Sequence, residues 1–329
     1  MFFEVKNLCF SYYKCPLILK DVNFSFDENS SVLCLASKDS GKSTILKVLS
    51  GFEDSRFGNI FLQEKELKQI SDEEKRFSLV LAEPVLLENK TVRENLHFQC
   101  EMCKLEKFDD EKLKKLFEDF EYQIDLNKKV KKLTLFEKRL VQIVRAEIKN
   151  PKILFLDDQF EMLANDELDK MMKIYSILFN KKDITIFCAI GDDVYKSIDE
   201  NLKSFKFNKV LYLNSANVKE FKTIDEFEKS YYSLDCLKFL KEIDLKECLI
   251  EKEEKSFAFC NNKEKLFIFD KKFNEKLNSL KLDVGEVEDC YFVTFKDFDL
   301  KQINDKEFNV MLENNEILIY SKLTGFRLF

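Results

Sequence analysis

Residues 34–51, CLASKDSGKSTILKVLSG, decide the reading of this chain. SVLCLA at 31–36 is a short apolar run suited to a buried strand, and ILKVLSGF, from 45, has apolar spacing suited to a helix. Strand, loop and helix in that order let backbone N–H groups wrap phosphates while a lysine reaches the terminal ones and a Ser hydroxyl joins Mg²⁺. Lys42 and Ser43 occupy those two positions. Gly41 is the one glycine left within the loop proper, so the question is whether such a loop still holds a nucleotide and what becomes of it.

A second element stands at 153–158, ILFLDD, where Asp157 ends an apolar strand. A carboxylate there can hold a Mg²⁺ shell; the competing role is a helix N-cap. ITIFCAI and KVLYLN are further buried-strand candidates, and helical stretches alternate with them, which implies an α/β fold with a mostly parallel sheet covered on both faces. FFEVKNLCFSY and LILKDVNFSF read as strands before the loop. Between about 85 and 150 the chain turns helical and charged, and DDEKLKKLFEDFEYQI carries Leu113, Leu116, Phe117 and Phe120 on one face. From about 235, short aromatic runs such as KLFIFD and DCYFVTF predict a small, mainly β domain.

Composition narrows the function. The 329 residues are 45% hydrophobic and 35% charged, an ordinary soluble balance. The 34 Phe, against 6 Gly, 3 Pro and no Trp, reflect a general bias rather than a site. The ten cysteines lack paired metal-ligand spacing beyond CEMC at 100–103, so reduced core thiols are expected. No apolar run approaches the roughly 20 residues of a spanning helix, and Glu4 and Lys6 interrupt any secretory signal. The net charge of −7 is spread along the chain and offers no basic stripe, which argues against nucleic acid; NKKVKK at 127–132 reads as a solvated turn.

Taken in order, these landmarks resemble the nucleotide-binding subunit of ATP-binding cassette (ABC) transporters over residues 1 to about 230. FSYY at 10–13 is similar to the loop that stacks on adenine, with Tyr12 at the stacking position and Tyr13 a close rival. EPVLLENKTVRENL at 83–96 resembles the segment that sits against the transporter's membrane domains, NPKILFLDDQF the Walker B region, and NKVLYLNSANVKEFKTIDEF the closing strands and helix. The resemblance implies a P-loop NTPase (RecA-like) core with an N-terminal antiparallel β subdomain and a helical insertion, in a nucleotide-binding domain spanning 1–232. A small mainly β domain, regulatory or dimerising, follows at 233–329. It implies ATP and Mg²⁺ as cofactors, held by Tyr12, Lys38, Ser40, Gly41, Lys42, Ser43 and Thr44, with Ser43 and Asp157 on the metal and Asp158 as the catalytic base that polarises the attacking water. The implied partners are membrane permease subunits and a second ATPase subunit, identical or different, at the cytoplasmic face of the membrane. DDQF and the C-terminal extension are similar to importer subunits of the sugar and metal-ion type.

Departures from the family pattern concern the chemistry. Two P-loop glycines are Ala36 and Asp39, the Q-loop glutamine is Ala82, and the signature LSGGQ is LTLFE at 133–137, with Leu135 and Phe136 for its glycines. Those side chains are expected to obstruct closure of one subunit on the other. Asp158 replaces the catalytic glutamate with one methylene fewer, Ala164 the D-loop aspartate and Gly191 the switch histidine; His97, the one histidine, is expected to be a partly buried helix residue. The reading is an ATP-binding transporter subunit with weak or absent hydrolysis. The alternatives are an active ATPase completed by an intact partner, and a regulatory or scaffolding protein outside transport.

Overall fold

The computed structural model describes residues 1–230 except 38, 56 and 215, residues 236 and 240, and the backbone of five strands between 246 and 321. The chain divides into two compact units, Met1–Glu226 and Phe227–Phe329.

In the first unit, β1 (Phe3–Phe10) and β2 (Leu19–Phe26) pair antiparallel; β3 (Ser31–Ala36) then runs to α1 (Lys42–Leu49). The chain returns through β4 (Phe57–Leu62) and β5 (Lys65–Glu66) to complete a sheet of order β2-β1-β4-β5. Strand β1 buries Phe3, Val5, Leu8 and Phe10, an odd step after Val5 that a regular strand would turn to solvent. A bulge at Asn7, with φ of 49°, absorbs the extra residue. Gly58 faces it: a Cβ there would lie 2.3 Å from the Asn7 carbonyl oxygen.

After α2 (Asp72–Lys75) and β6 (Phe77–Val80), the helical insertion comprises α3 (Val92–Met102), α4 (Asp110–Glu118) and α5 (Leu135–Glu147). Then β7 (Ile153–Asp157), α6 (Asn165–Asn180), β8 (Thr185–Gly191), α7 (Asp192–Lys203), β9 (Lys209–Asn214), β10 (Asn217–Phe221) and α8 (Ile224–Ser230) follow. The main sheet has the order β10-β9-β3-β8-β7-β6 and is parallel except for the β9–β10 hairpin. Every residue of β7, and β3 after Ser31, is buried, as the apolar runs require. The phenylalanines fill the space between the two sheets: Phe3 stacks on Phe26 at 4.7 Å, and Phe187 lies 6.0 Å from Phe26 and 5.9 Å from Phe155. Each such side chain contributes about 1.5–3 kcal/mol of burial.

Helices α3 and α5 both start in capping boxes, Thr91 with Glu94 and Thr134 with Glu137. Helix α4 covers only part of the amphipathic stretch, yet Leu113, Phe117 and Phe120 are buried, Phe120 beyond the helix end. NKKVKK is more than a solvated turn. Val130 is fully buried, the Val92 N–H donates to the Lys128 carbonyl at 3.1 Å, and the Val130 N–H donates to the Lys90 carbonyl at 3.0 Å. Cys34, Cys100, Cys188 and Cys236 are the expected core thiols, whereas Cys15 is exposed in the β1–β2 connection.

In the second unit, β11 (Lys246–Lys252), β12 (Ser256–Asn261), β13 (Glu264–Asp270), β14 (Val287–Thr294) and β15 (Ile317–Ser321) form an antiparallel sheet of order β13-β12-β11-β14-β15. Among the described residues no helix is long and apolar enough to cross a membrane.

Candidate functional site

Parallel strands β3, β8 and β7 are neighbours and end on the same side, so their C-terminal residues converge: Ala36 pairs with Gly191, and Asp157 with Ala189. Crevices at such strand ends are where open α/β sheets take ligands. The loop after β3 closes locally, as the Ser40 N–H and hydroxyl both donate to the Ser37 carbonyl, at 3.2 and 2.6 Å. Asp39 adopts φ of 60°, the left-handed conformation a glycine would take, which aspartate tolerates best among charged residues. Gly41, with φ of 95°, is the N-cap of α1; a Cβ there would strike Ile18 Cγ2 at 2.4 Å. Loss of glycine at 36 and 39 leaves the loop formed, and the glycine that remains is the one that packing demands. Thr44 is buried in the first turn of α1, and Lys38 lies outside the described residues.

Lys42 points into a pair of buried carboxylates. Its Nζ lies 2.6 Å from Asp158 Oδ2 and 3.7 Å from Asp157 Oδ1. The Gly191 N–H donates to the same Asp158 oxygen at 3.0 Å, and the Asp158 N–H donates to the Ala189 carbonyl at 3.0 Å. Burial works to lower the pKa of Lys42, but Asp158, Asp157 and Glu161 outweigh it and hold the ammonium above its ordinary value. Burial raises the Asp157 pKa, against a hydrogen bond with Ser43 and the charge of Lys42. Oδ1 of each aspartate is buried without a hydrogen-bond partner.

An open cleft of about 480 Å³ lies over this group, bordered by Ile18, the P-loop and the start of α7. Asp39, Asp158, Glu161, Asp192 and Asp193 face it, with Lys42 the one basic side chain among the described lining residues. Such a wall repels a free anion. It fits a nucleotide that brings its own cation, because Ser43 and the Asp157 carboxylate, whose Oδ1 has no hydrogen-bond partner, are a donor set suited to Mg²⁺. Glu161, Asp192 and Asp193 were not singled out from sequence; DDQFE and GDD showed the charge, but only the adjacency of β7 and β8 puts them in one wall.

The outlying expected residues are distributed as follows. Tyr12 is partly buried with its ring edge-on to Phe10 at 5.0 Å, Tyr13 is exposed under Lys14, and neither borders the cleft. In LTLFE the Thr134 hydroxyl accepts from the Glu137 N–H at 3.2 Å and serves as the cap of α5. Phe136 is not the surface obstruction expected: it is buried, 5.3 Å from the Tyr122 ring, because the helix turns that position inward; Leu135 is only partly exposed. His97 is partly buried on α3, its Nε2 2.9 Å from the Phe108 carbonyl oxygen. Ala164 caps α6 without a side-chain hydrogen bond.

Arg139 of α5 is the residue whose role was not legible. Buried to 3% exposure, it donates to the carbonyls of Gln159 at 2.9 Å and Glu161 at 2.6 Å and more loosely to Ala82 at 3.3 and 3.4 Å. One guanidinium thereby ties the strand end at Ala82 and the segment after Asp158 to the helix that follows LTLFE. Gln159, fully buried, adds a second tie by donating to the Leu81 carbonyl at 2.9 Å.

Comparison with known proteins agrees with this geometry. Residues 19–161 match the ABC transporter family. The spermidine/putrescine import ATP-binding protein PotA of Clostridium novyi (strain NT) is 26% identical over 184 residues, covering 54% of this chain. The chain spans about half, 53%, of that relative's length. Two solved structures share the fold. The ATP-binding cassette MJ0796, a dimer in a post-hydrolysis state bound to ADP and Pi, superposes with a TM-score of 0.57 at 20% identity, over 67% of this chain and 98% of its own. CbiO1 from Clostridium perfringens, part of the ABC transporter complex CbiONQ, gives 0.56 at 19% identity, over 70% and 91%. With the P-loop, the strand-end acid and the sheet order in place, residues 19–161 are similar to the ABC transporter family and the first unit has the fold of its ATP-binding domains.

Proposed function

We propose that the protein is the ATP-binding subunit of an ABC transporter that holds MgATP and hydrolyses it weakly or not at all. The observation that carries this reading is the engagement of Asp158, where the family's catalytic glutamate stands, by Lys42 at 2.6 Å. A carboxylate that anchors a lysine and a backbone N–H is a poor base for an attacking water. Gly191, at the switch position, has no side chain to polarise anything, and the Thr134 hydroxyl is committed to its own helix. Ser43 and Asp157 would hold the metal and Lys42 the terminal phosphates; when bound, Mg²⁺ supplies the positive charge that the acidic wall lacks.

The reading extends to permease subunits and a second ATPase subunit, at the cytoplasmic face of the membrane. Its support is the apolar surface of the segment after β6 and of α3: Val85, Leu87, Phe98 and Met102 are 58%, 42%, 43% and 65% exposed. Exposed apolar side chains gathered on one insertion suit a protein partner. PotA and CbiO1 are by name parts of import and transporter systems.

Incubating the full chain with labelled MgATP and following the bound nucleotide over time, with Lys42→Ala as control, tests the reading. The expected result is Lys42-dependent binding of nucleotide that stays intact. ADP accumulating faster than in the control overturns the claim of weak hydrolysis and restores Asp158 as an active base.

A further inference from the structure

Asp158 does more than fail as a base. Its Oδ2 already takes the Lys42 ammonium at 2.6 Å and the Gly191 N–H at 3.0 Å, and the first of these donors is the group by which a P-loop reaches the terminal phosphates. The fit depends on the residue at 191, since a Cβ there would come within 3.1 Å of that oxygen. A bare glycine and a short carboxylate thus accommodate each other. We infer that the Asp158 carboxylate stands in for the terminal phosphate, so that this P-loop takes a nucleoside diphosphate in preference to a triphosphate. The inference rests on the proposed nucleotide-binding reading and names the ligand state that the site favours.

A triphosphate must draw Lys42 away from Asp158, which leaves a carboxylate of 3% exposure with the Gly191 N–H as its hydrogen-bond donor. It also brings one more phosphate towards a cleft already faced by Asp39, Glu161, Asp192 and Asp193. A diphosphate, one phosphate shorter, can use the loop N–H groups and the start of α1 while the Lys42–Asp158 pair stays closed. The preference is therefore built from one ion pair and its surroundings, and removing the charge at 158 should erase it.

Equilibrium binding of ADP and of a non-hydrolysable ATP analogue, each with Mg²⁺, to the full chain tests this. Wild type is expected to bind ADP about tenfold more tightly than the analogue, the consequence of one unfavourable charge contact of modest strength. Asp158→Asn is expected to tighten the analogue by about the same factor and leave ADP nearly unchanged. The wild-type ratio alone decides the matter if the variant folds poorly. Equal or tighter binding of the analogue by wild type overturns the inference and leaves the nucleotide-binding reading standing. Binding of neither ligand, or binding of the ATP analogue indifferent to Lys42→Ala, overturns that reading and this inference with it.

Discussion

Arg139→Met measures how much the site's framework owes to one buried cation. The guanidinium makes two short hydrogen bonds, to Gln159 and Glu161, and two long ones to Ala82. Charge-assisted bonds of the short kind contribute about 1.5–3 kcal/mol each. Methionine fills a similar volume and removes a charge whose pKa burial already lowers, which returns part of that loss, so a net destabilisation of about 3 kcal/mol is expected. With a urea m-value near the upper part of the ~1–3 kcal/mol/M range, the midpoint falls by about 1 M. The chain has no Trp, so circular dichroism of the helical signal is the suitable probe. Arg139→Lys keeps the charge but not the fork, and its midpoint should fall between the two. An unchanged midpoint in Arg139→Met, with the helical signal intact, refutes the claim that this side chain clamps the site.

Two further outcomes are expected. Ala164 begins the 16-residue α6 with extended φ and ψ of −70° and 159° and no side-chain cap; Ala164→Ser should add about 1 kcal/mol, read as a rise of a few degrees in thermal denaturation, and no rise means the hydroxyl finds no free N–H. Glu94 accepts from the Thr91 N–H at 2.7 Å and from Lys90 at 2.9 Å, which brings its carboxyl from 4.5 to about 2. A depressed folded-state pKa stabilises above the unfolded value and is lost as pH falls through the folded one. Amide exchange at the start of α3 should therefore quicken, beyond its intrinsic pH dependence, between pH 4.5 and about 2; identical behaviour in Glu94→Gln refutes the assignment.

Sequence made the architecture legible where apolar runs are continuous. The buried strands SVLCLA, ILFLD and TIFCAI each fell on the apolar runs, because a strand covered on both faces has no polar residue in its interior to break the run. What local pattern could not convey was direction. Phe136, read as a bulky surface residue, turns inward because the Thr134–Glu137 capping box fixes where α5 begins and thus which face position 136 takes. Arg139 looked like any basic helix residue; its three carbonyl partners lie 20, 22 and 57 residues away in sequence. The acidic wall was opaque for the same reason, since Asp39, Glu161 and Asp192 meet only through the order of β3, β8 and β7.

These cases separate two kinds of departure from the family pattern. Where packing requires a residue, the chain has kept it or found a conformational equivalent: Gly41 against Ile18, Asp39 in the left-handed conformation, Phe136 in the interior. At Ala82, Asp158 and Gly191 the side chain is shorter than in the family pattern or absent, and the groups that remain bond in part within the chain. Gly191 gives its N–H to Asp158, Asp158 takes Lys42, and the Ala82 carbonyl takes Arg139. Under the proposed reading, these contacts engage the lysine and one oxygen of the carboxylate that turnover would use. On that reading no single substitution is expected to raise hydrolysis: Asp158→Glu alone still faces Lys42, and Gly191→His alone would crowd the carboxylate 3.1 Å away.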